Sequence, residues 1–69
     1  MLEFIGEAPK TCQLCEEKIA IAFYDAKLKR NGPWAYVCPE CHIDACYGVG
    51  LGRGQRYDKI DGKWVKTKG

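Results

Sequence analysis

The chain carries two cysteine pairs of the same form, Cys12-Gln13-Leu14-Cys15 and Cys38-Pro39-Glu40-Cys41. Two residues separate the cysteines within each pair, and this spacing lets a tight loop turn both thiolates toward one metal ion. Residues 16–37 lie between the pairs, which is enough chain for a hairpin that brings the two loops together. Because four thiolates in a tetrahedron form a closed structural site, we predict one zinc ion bound by Cys12, Cys15, Cys38 and Cys41.

The short length of the chain makes this metal site important for folding. With 69 residues, we expect one domain. A hydrophobic core of this size rarely supplies more than about 3–5 kcal/mol, whereas a structural zinc ion adds about 10–16 kcal/mol of coupled binding and folding. We predict a single zinc-binding domain at residues 11–69, preceded by a loosely held arm at residues 1–10 whose apolar side chains reach the core: Leu2, Phe4 and Ile5.

The cysteine count and the apolar runs indicate the compartment. Five cysteines are an odd number, whereas a secreted disulfide framework normally uses an even one. The first residues lack the charged start, apolar run and small-residue cleavage site of a signal peptide. The longest apolar run, Ile19–Tyr24, is too short to span a bilayer. We therefore expect a protein of the reducing cytoplasm with no membrane partner.

Charge is distributed unevenly along the chain. The formal net charge of +2 counts the cysteines as neutral, but four thiolates with one divalent zinc ion sum to −2 and bring the metal-bound protein close to neutrality. Residues 1–17 hold four acidic side chains and one lysine, whereas residues 53–69 hold six basic side chains and two acidic ones. A basic C-terminal third can contact an anionic partner, although solvation by water is the commoner explanation of such charges.

Between the cysteine pairs the sequence predicts a β-hairpin. Residues 18–28 alternate with the period of two that is typical of a half-buried strand, and the positions on one face are Ile19, Ile21 and Phe23. Residues 29–33 contain Asn-Gly, which favours a turn because both residues accept positive φ. The return strand, Trp34–Val37, leads directly into Cys38.

A short helix is predicted to follow, over residues 38–48. Pro39 suits the first helical position, where no amide donor is required. Helical spacing places three residues on one face, which we expect to be buried: Ile43, Cys46 and Tyr47. Alternate glycines from Gly48 to Gly54 then predict irregular or tightly turning backbone, and neither the dinucleotide-binding nor the phosphate-binding glycine pattern is present.

The last stretch predicts a second hairpin. Residues 56–60 and 63–67 flank Asp61-Gly62, a strong signal for a two-residue turn. The predicted fold class is therefore a small α+β domain with two hairpins and one short helix.

The order knuckle, hairpin, knuckle, helix resembles the treble-clef zinc finger over about residues 11–48. This resemblance implies that the first cysteine pair lies in a knuckle loop and that the second pair begins the helix. The helix amides would then lower the pKa of the Cys38 and Cys41 thiols and favour metal binding. A plain zinc ribbon is the alternative, and it would place a strand after Cys41.

Other uses of the cysteines fit the sequence less well. A rubredoxin-like iron site usually carries glycine after each pair, whereas Glu16 and His42 occupy those places here. A thioredoxin-like redox pair would need a βαβ pattern around it, and neither pair has one. We interpret Cys46 as a small buried residue and His42 as an exposed residue of the first helical turn, rather than as metal ligands.

A looser resemblance concerns the run from Gly32 to His42, followed by Gly50-Leu51-Gly52. This run is similar in style to short zinc-binding proteins encoded by bacteriophages, which are largely of unassigned function. The resemblance implies an intracellular setting, which would be the host cytoplasm for a phage-encoded protein.

Three classes of function remain open. The first is a non-catalytic module that contacts nucleic acid through basic and aromatic side chains, for which the candidates are Arg53, Arg56, Lys59, Lys63, Trp64, Lys66 and Lys68. The second is a protein-interaction adaptor that uses an apolar surface. The third is a small nuclease, which the presence of a single histidine disfavours. We expect the first, with no small-molecule substrate and no catalytic residue.

Overall fold

The computed structural model describes residues 3–4, 6–29, 32–46, 48–50 and 52–69. These residues form the elements β1 (Ala22–Lys27), β2 (Trp34–Val37), α1 (Pro39–Ala45), β3 (Gly54–Ile60) and β4 (Lys63–Lys68). The strands make one antiparallel sheet in the order β2-β1-β3-β4. The predicted small α+β class is confirmed, and the two predicted hairpins are joined into one sheet by the pairing of β1 with β3.

Turn chemistry accounts for the hairpin between β3 and β4. Asp61 and Gly62 have φ angles of 51° and 80°, so the turn between β3 and β4 has positive φ at both central residues, as the right-handed strand twist requires. At the other turn the amide of Leu28 donates to the carbonyl of Pro33 at 3.1 Å. Arg30 and Asn31, which belong to the predicted turn at residues 29–33, lie outside the described residues.

Strand β1 is buried on both of its faces, not on one as predicted. Phe23 is fully buried on one face, while Tyr24 and Ala26 are buried on the other. The strand also begins at Ala22 rather than at residue 18, and Ile21, predicted to point inward, is 77% exposed. The double burial arises because β1 lies inside the sheet, with α1 packed on one face and aromatic side chains on the other.

An aromatic cluster covers the sheet face opposite the helix. Phe4 packs edge-on against Phe23, Tyr36 and Tyr57 at centroid distances of 5.5, 5.9 and 5.1 Å. Trp64 packs against Phe23 at 5.0 Å. We call this side of the sheet the aromatic face. Of the three residues expected to bring the arm to the core, Phe4 does so, and Leu2 and Ile5 lie outside the described residues.

The N-terminal part of the chain, up to and including the first cysteine pair, touches both edges of the sheet. The amide of Phe4 donates to the carbonyl of Trp64 at 2.8 Å, and Glu3 forms a bridge with Val65 on the outer edge of β4. At the opposite edge the amide of Gln13 donates to the carbonyl of Tyr36 in β2 at 2.9 Å. These contacts satisfy backbone groups that an open sheet edge would leave unpaired.

The helix presents a different face to the sheet from the one predicted. Ile43 is 75% exposed, whereas His42 is only 7% exposed, so both predictions about these residues were wrong. The His42 ring stacks on Tyr24 with centroids 3.7 Å apart, and its Nε2 donates to the carbonyl of Gly48 at 3.0 Å. Tyr47, predicted to share the buried face, lies outside the described residues.

Cys46 is buried beside Cys12 in the core, in accordance with the prediction for this residue. Burial raises the pKa of its thiol, which therefore stays protonated and behaves as a small apolar group. We expect Cys46→Ala to cost about 1 kcal/mol of packing and to leave the metal content unchanged. Urea unfolding together with elemental analysis checks this, and a loss of bound metal in the variant would contradict it.

Candidate metal centre

The first cysteine pair lies in a tight knuckle that is closed by backbone hydrogen bonds. The amide of Cys12 donates to the carbonyl of Glu17 at 2.8 Å, and the amide of Glu16 donates back to the carbonyl of Cys12 at 2.9 Å. Glu16 has a φ angle of 63°, a left-handed conformation that glycine adopts more readily. The amide of Leu14 points at the Cys12 sulfur, 3.4 Å away, as expected for a loop that stabilises a thiolate.

The second pair is placed by the junction between β2 and α1. Cys38 follows β2 directly and occupies the N-cap position of the helix, whose first residue is Pro39 as predicted. Cys41 lies in the first turn, and the amide of His42 donates to the carbonyl of Cys38 at 3.0 Å. Since both cysteines must turn toward the knuckle, they fix the rotation of the helix about its axis.

Gln13 holds the knuckle against the strand that leads to the second pair. Besides its backbone contact with Tyr36, its side-chain Oε1 accepts a hydrogen bond from the Tyr36 amide at 2.7 Å. Tyr36 is two residues before Cys38, so this two-point contact sets the distance between the two cysteine pairs.

The four cysteines of the two pairs meet at one point. One sulfur atom from each of Cys12, Cys15, Cys38 and Cys41 lies within 4.8 Å of all the others. The Cys15 and Cys38 sulfur atoms are 3.7 Å apart, close to the edge of about 3.8 Å that a tetrahedron with metal–sulfur bonds of about 2.3 Å would have. The donor set and its spacing therefore fit one tetrahedral metal ion.

The local electrostatics also favour a bound cation. Burial acts to raise the pKa of Cys12, but the backbone amides of Cys15, Cys38 and Leu14 outweigh it and lower the pKa to about 6. The expectation that the helix amides lower the pKa of Cys41 was wrong: its pKa is raised well above the ordinary value, by burial and then by the neighbouring sulfur atoms. Four adjacent thiolates are thus stable together only when a cation compensates their charge.

The candidate nucleic-acid residues lie on more than one surface. Cross-strand partners share a face and neighbours along a strand alternate, so the pairings Lys59–Trp64 and Tyr57–Lys66 place Lys59, Trp64 and Lys66 on the aromatic face. The pairings Arg56–Lys68 and Ile60–Lys63 place Arg56, Lys63 and Lys68 on the helix face, because a register shift beside Arg56 and Tyr57 interrupts the alternation of β4 between Lys66 and Lys68. Arg53 is exposed in the loop before β3.

Arg56 is committed to contacts within the domain. Its Nε and Nη2 donate to the Asp58 carboxylate at 3.0 and 3.1 Å, and its Nη1 donates to the Tyr24 hydroxyl at 2.9 Å. Hydrogen bonding by Arg56 lowers the pKa of Asp58, which also accepts a hydrogen bond from the Thr67 hydroxyl. This guanidinium is therefore poorly placed to meet a phosphate.

Two cross-strand lysine–tryptophan pairs lie on the aromatic face, and sequence reasoning identified only one of them. The Lys59 Nζ lies 5.8 Å from the centre of the Trp64 ring. Toward the opposite edge of the sheet, Lys27 is paired with Trp34, which is 48% exposed. Only the β1–β2 register could have revealed this second pair.

Among the described residues, no helix is long and apolar enough to cross a bilayer. Comparison with protein-family models, with curated proteins and with solved structures finds no match to this chain.

Proposed function

We propose that the protein is a small non-catalytic module organised by one zinc ion and that it contacts nucleic acid. The meeting of four cysteine sulfur atoms within 4.8 Å carries the first part of this proposal. Zinc is the metal that most commonly occupies a closed site of four thiolates. The five free thiols favour a reducing cytoplasm as the working compartment.

The arrangement around the site supports a treble-clef-like centre. A knuckle is followed by the β1–β2 hairpin, and the second pair begins α1. A plain zinc ribbon would continue as a strand after Cys41, where this chain instead has the remainder of the helix.

A structural rather than catalytic role follows from the ligands. Four protein ligands leave a tetrahedral ion without an open position for water or substrate. The only histidine of the chain, His42, is stacked on Tyr24 and donates its Nε2 proton to Gly48. It is therefore not available as a base in an open cleft.

The aromatic face supplies the features from which we infer nucleic-acid contact. Lysine ammonium groups bind phosphates, and tryptophan rings stack on bases without regard to sequence. Two adjacent strands carry ammonium groups and a tryptophan ring side by side, from Lys59, Lys66 and Trp64. We call these three residues the lysine–tryptophan patch. The partner suggested by this combination is a single strand, whose unpaired bases are free to stack.

Charge-matched double variants test this proposal. We expect Lys59→Gln with Lys66→Gln to weaken binding of a labelled single strand and to lower the slope of log affinity against log salt by about 1.4, because two phosphate contacts are lost. The matched control is Lys63→Gln with Lys68→Gln on the helix face. Polarisation titrations at two salt concentrations measure the affinity and the salt slope of each double variant. Equal losses in the two variants, or no binding at low salt, would rule out a contact at this patch.

A further inference from the structure

A groove of about 540 Å³ lies beside the metal centre. None of its lining residues belongs to the lysine–tryptophan patch, but the two surfaces are neighbours, because the amide of Lys59 donates to the carbonyl of Ile21 in the lining at 2.9 Å. One wall is the segment 17–22, which leads from the knuckle into β1, and the other is the first part of α1. Three of the four metal-site cysteines line it: Cys15, Cys38 and Cys41. The groove is therefore built by the same contacts that assemble the metal centre.

The charge of the groove is strongly negative. Glu17, Glu40 and Asp44 line it, and all three are exposed. Within the part of the chain that the structure describes, none of these carboxylates has an ion-pair partner. Lys18 is the one cationic side chain of the lining. A bound zinc ion with four thiolates would add two further negative charges at its floor.

The arrangement of the carboxylates is unfavourable for the isolated domain. Glu40 and Asp44 are four residues apart on α1, where like charges repel. A cation bound between them would remove this repulsion, and it would be attracted by Glu17 across the groove.

The groove also offers an apolar contact. Ile21, the most exposed of the large apolar side chains in the described residues, belongs to its lining, together with Pro39. A simple metal cation or a polyamine would leave this surface in water. A peptide that carries both a cationic and an apolar side chain would cover it.

We propose that this groove binds a short cationic segment of a partner protein, with an arginine or lysine held by Glu40 and Asp44 and an apolar neighbour on Ile21. Charge complementarity carries the choice of occupant, because a nucleic acid or an acidic peptide would be repelled by the same carboxylates. The lining of the groove includes none of the residues of the lysine–tryptophan patch, so the protein would bind a protein segment here and nucleic acid at the neighbouring patch.

Labelled peptides titrated into the zinc-loaded full chain test the proposal. The probes are a short peptide of alternating arginine and leucine, one of arginine and serine, and one of glutamate and leucine. We expect the first to bind tightest, the second more weakly and the third not at all, with affinity falling as salt rises. Glu40→Gln with Asp44→Asn should weaken the first peptide about tenfold.

The matched control is Glu7→Gln with Asp61→Asn, which removes the same charge from exposed positions outside the groove. It should bind the peptide as the parent does, whereas Ile21→Ser should bind it as weakly as the parent binds the arginine–serine peptide. Equal losses in both double variants, equal binding of the first two peptides, or no binding at millimolar concentration would overturn the proposal. Sedimentation showing a dimer that only the groove variant abolishes would assign the groove to a second copy instead.

Discussion

Replacing Cys15 with serine is expected to unfold the domain and to abolish stoichiometric zinc binding. Cys15 is exposed, so its sulfur contributes little to core packing, and any loss of structure must come from coordination. With one thiolate removed, the remaining three hold the ion less tightly, and because binding and folding are one equilibrium the chain loses both together. Elemental analysis and amide proton–nitrogen spectra of the purified variant measure the two losses.

Cys46→Ala is the matched control for this experiment, because it removes a sulfur atom that is buried but lies outside the metal cluster. The exposed cysteine should therefore matter far more than the buried one, the reverse of what packing alone predicts. Addition of a chelator to the parent protein should reproduce the effect of Cys15→Ser. A Cys15→Ser protein that stays well ordered without metal would refute the central role of the ion.

Replacing Phe23 with alanine is expected to cost about 3–5 kcal/mol, the typical loss for a large core aromatic. Phe23 is fully buried, with a relative exposure of 0%. Its ring contacts Phe4, Tyr57 and Trp64. A loss of that size is comparable to the whole contribution of a core in so small a domain. Urea unfolding in excess zinc measures it.

Trp34→Ala provides the comparison for that measurement. Trp34 is also a large aromatic residue of the sheet, but about half of it remains in water, so we expect a loss of about 1 kcal/mol or less. If the two variants were equally unstable, the aromatic face would not be the core that its ring contacts indicate.

The parts of the fold governed by local chemistry could be predicted from the sequence. The Asp61-Gly62 turn and the cysteine spacing each act over a few residues, and the β3–β4 hairpin and the cysteine cluster follow from them. The joining of the hairpins through β1 and β3 could not be predicted, because it depends on contacts between distant residues. The burial of β1 on both faces follows from that pairing.

The helix shows how the cysteine cluster overrides hydrophobic patterning. By its apolar residues, α1 would bury Ile43, but Cys38 and Cys41, which must reach the other cysteines, turn the opposite side toward the sheet. His42 then lies over Tyr24, where ring stacking and the hydrogen bond to Gly48 stabilise a side chain that the sequence predicts to be exposed. The candidate binding surface was still harder to predict from the sequence, because strand alternation divides the basic residues of β3 and β4 between two faces of the sheet.

The contacts of Glu3, Phe4 and Gln13 with the two outer strands have a consequence for solubility. Each of these strands would otherwise present a row of free amides and carbonyls on which another chain could add a strand and begin a fibril. One continuous stretch of chain covers the outer edges of both strands. A chain shortened to begin at the first knuckle would therefore keep all four clustered cysteines, but it would expose the outer edge of β4 and the Phe23 ring. Such a truncated chain should bind zinc and still self-associate.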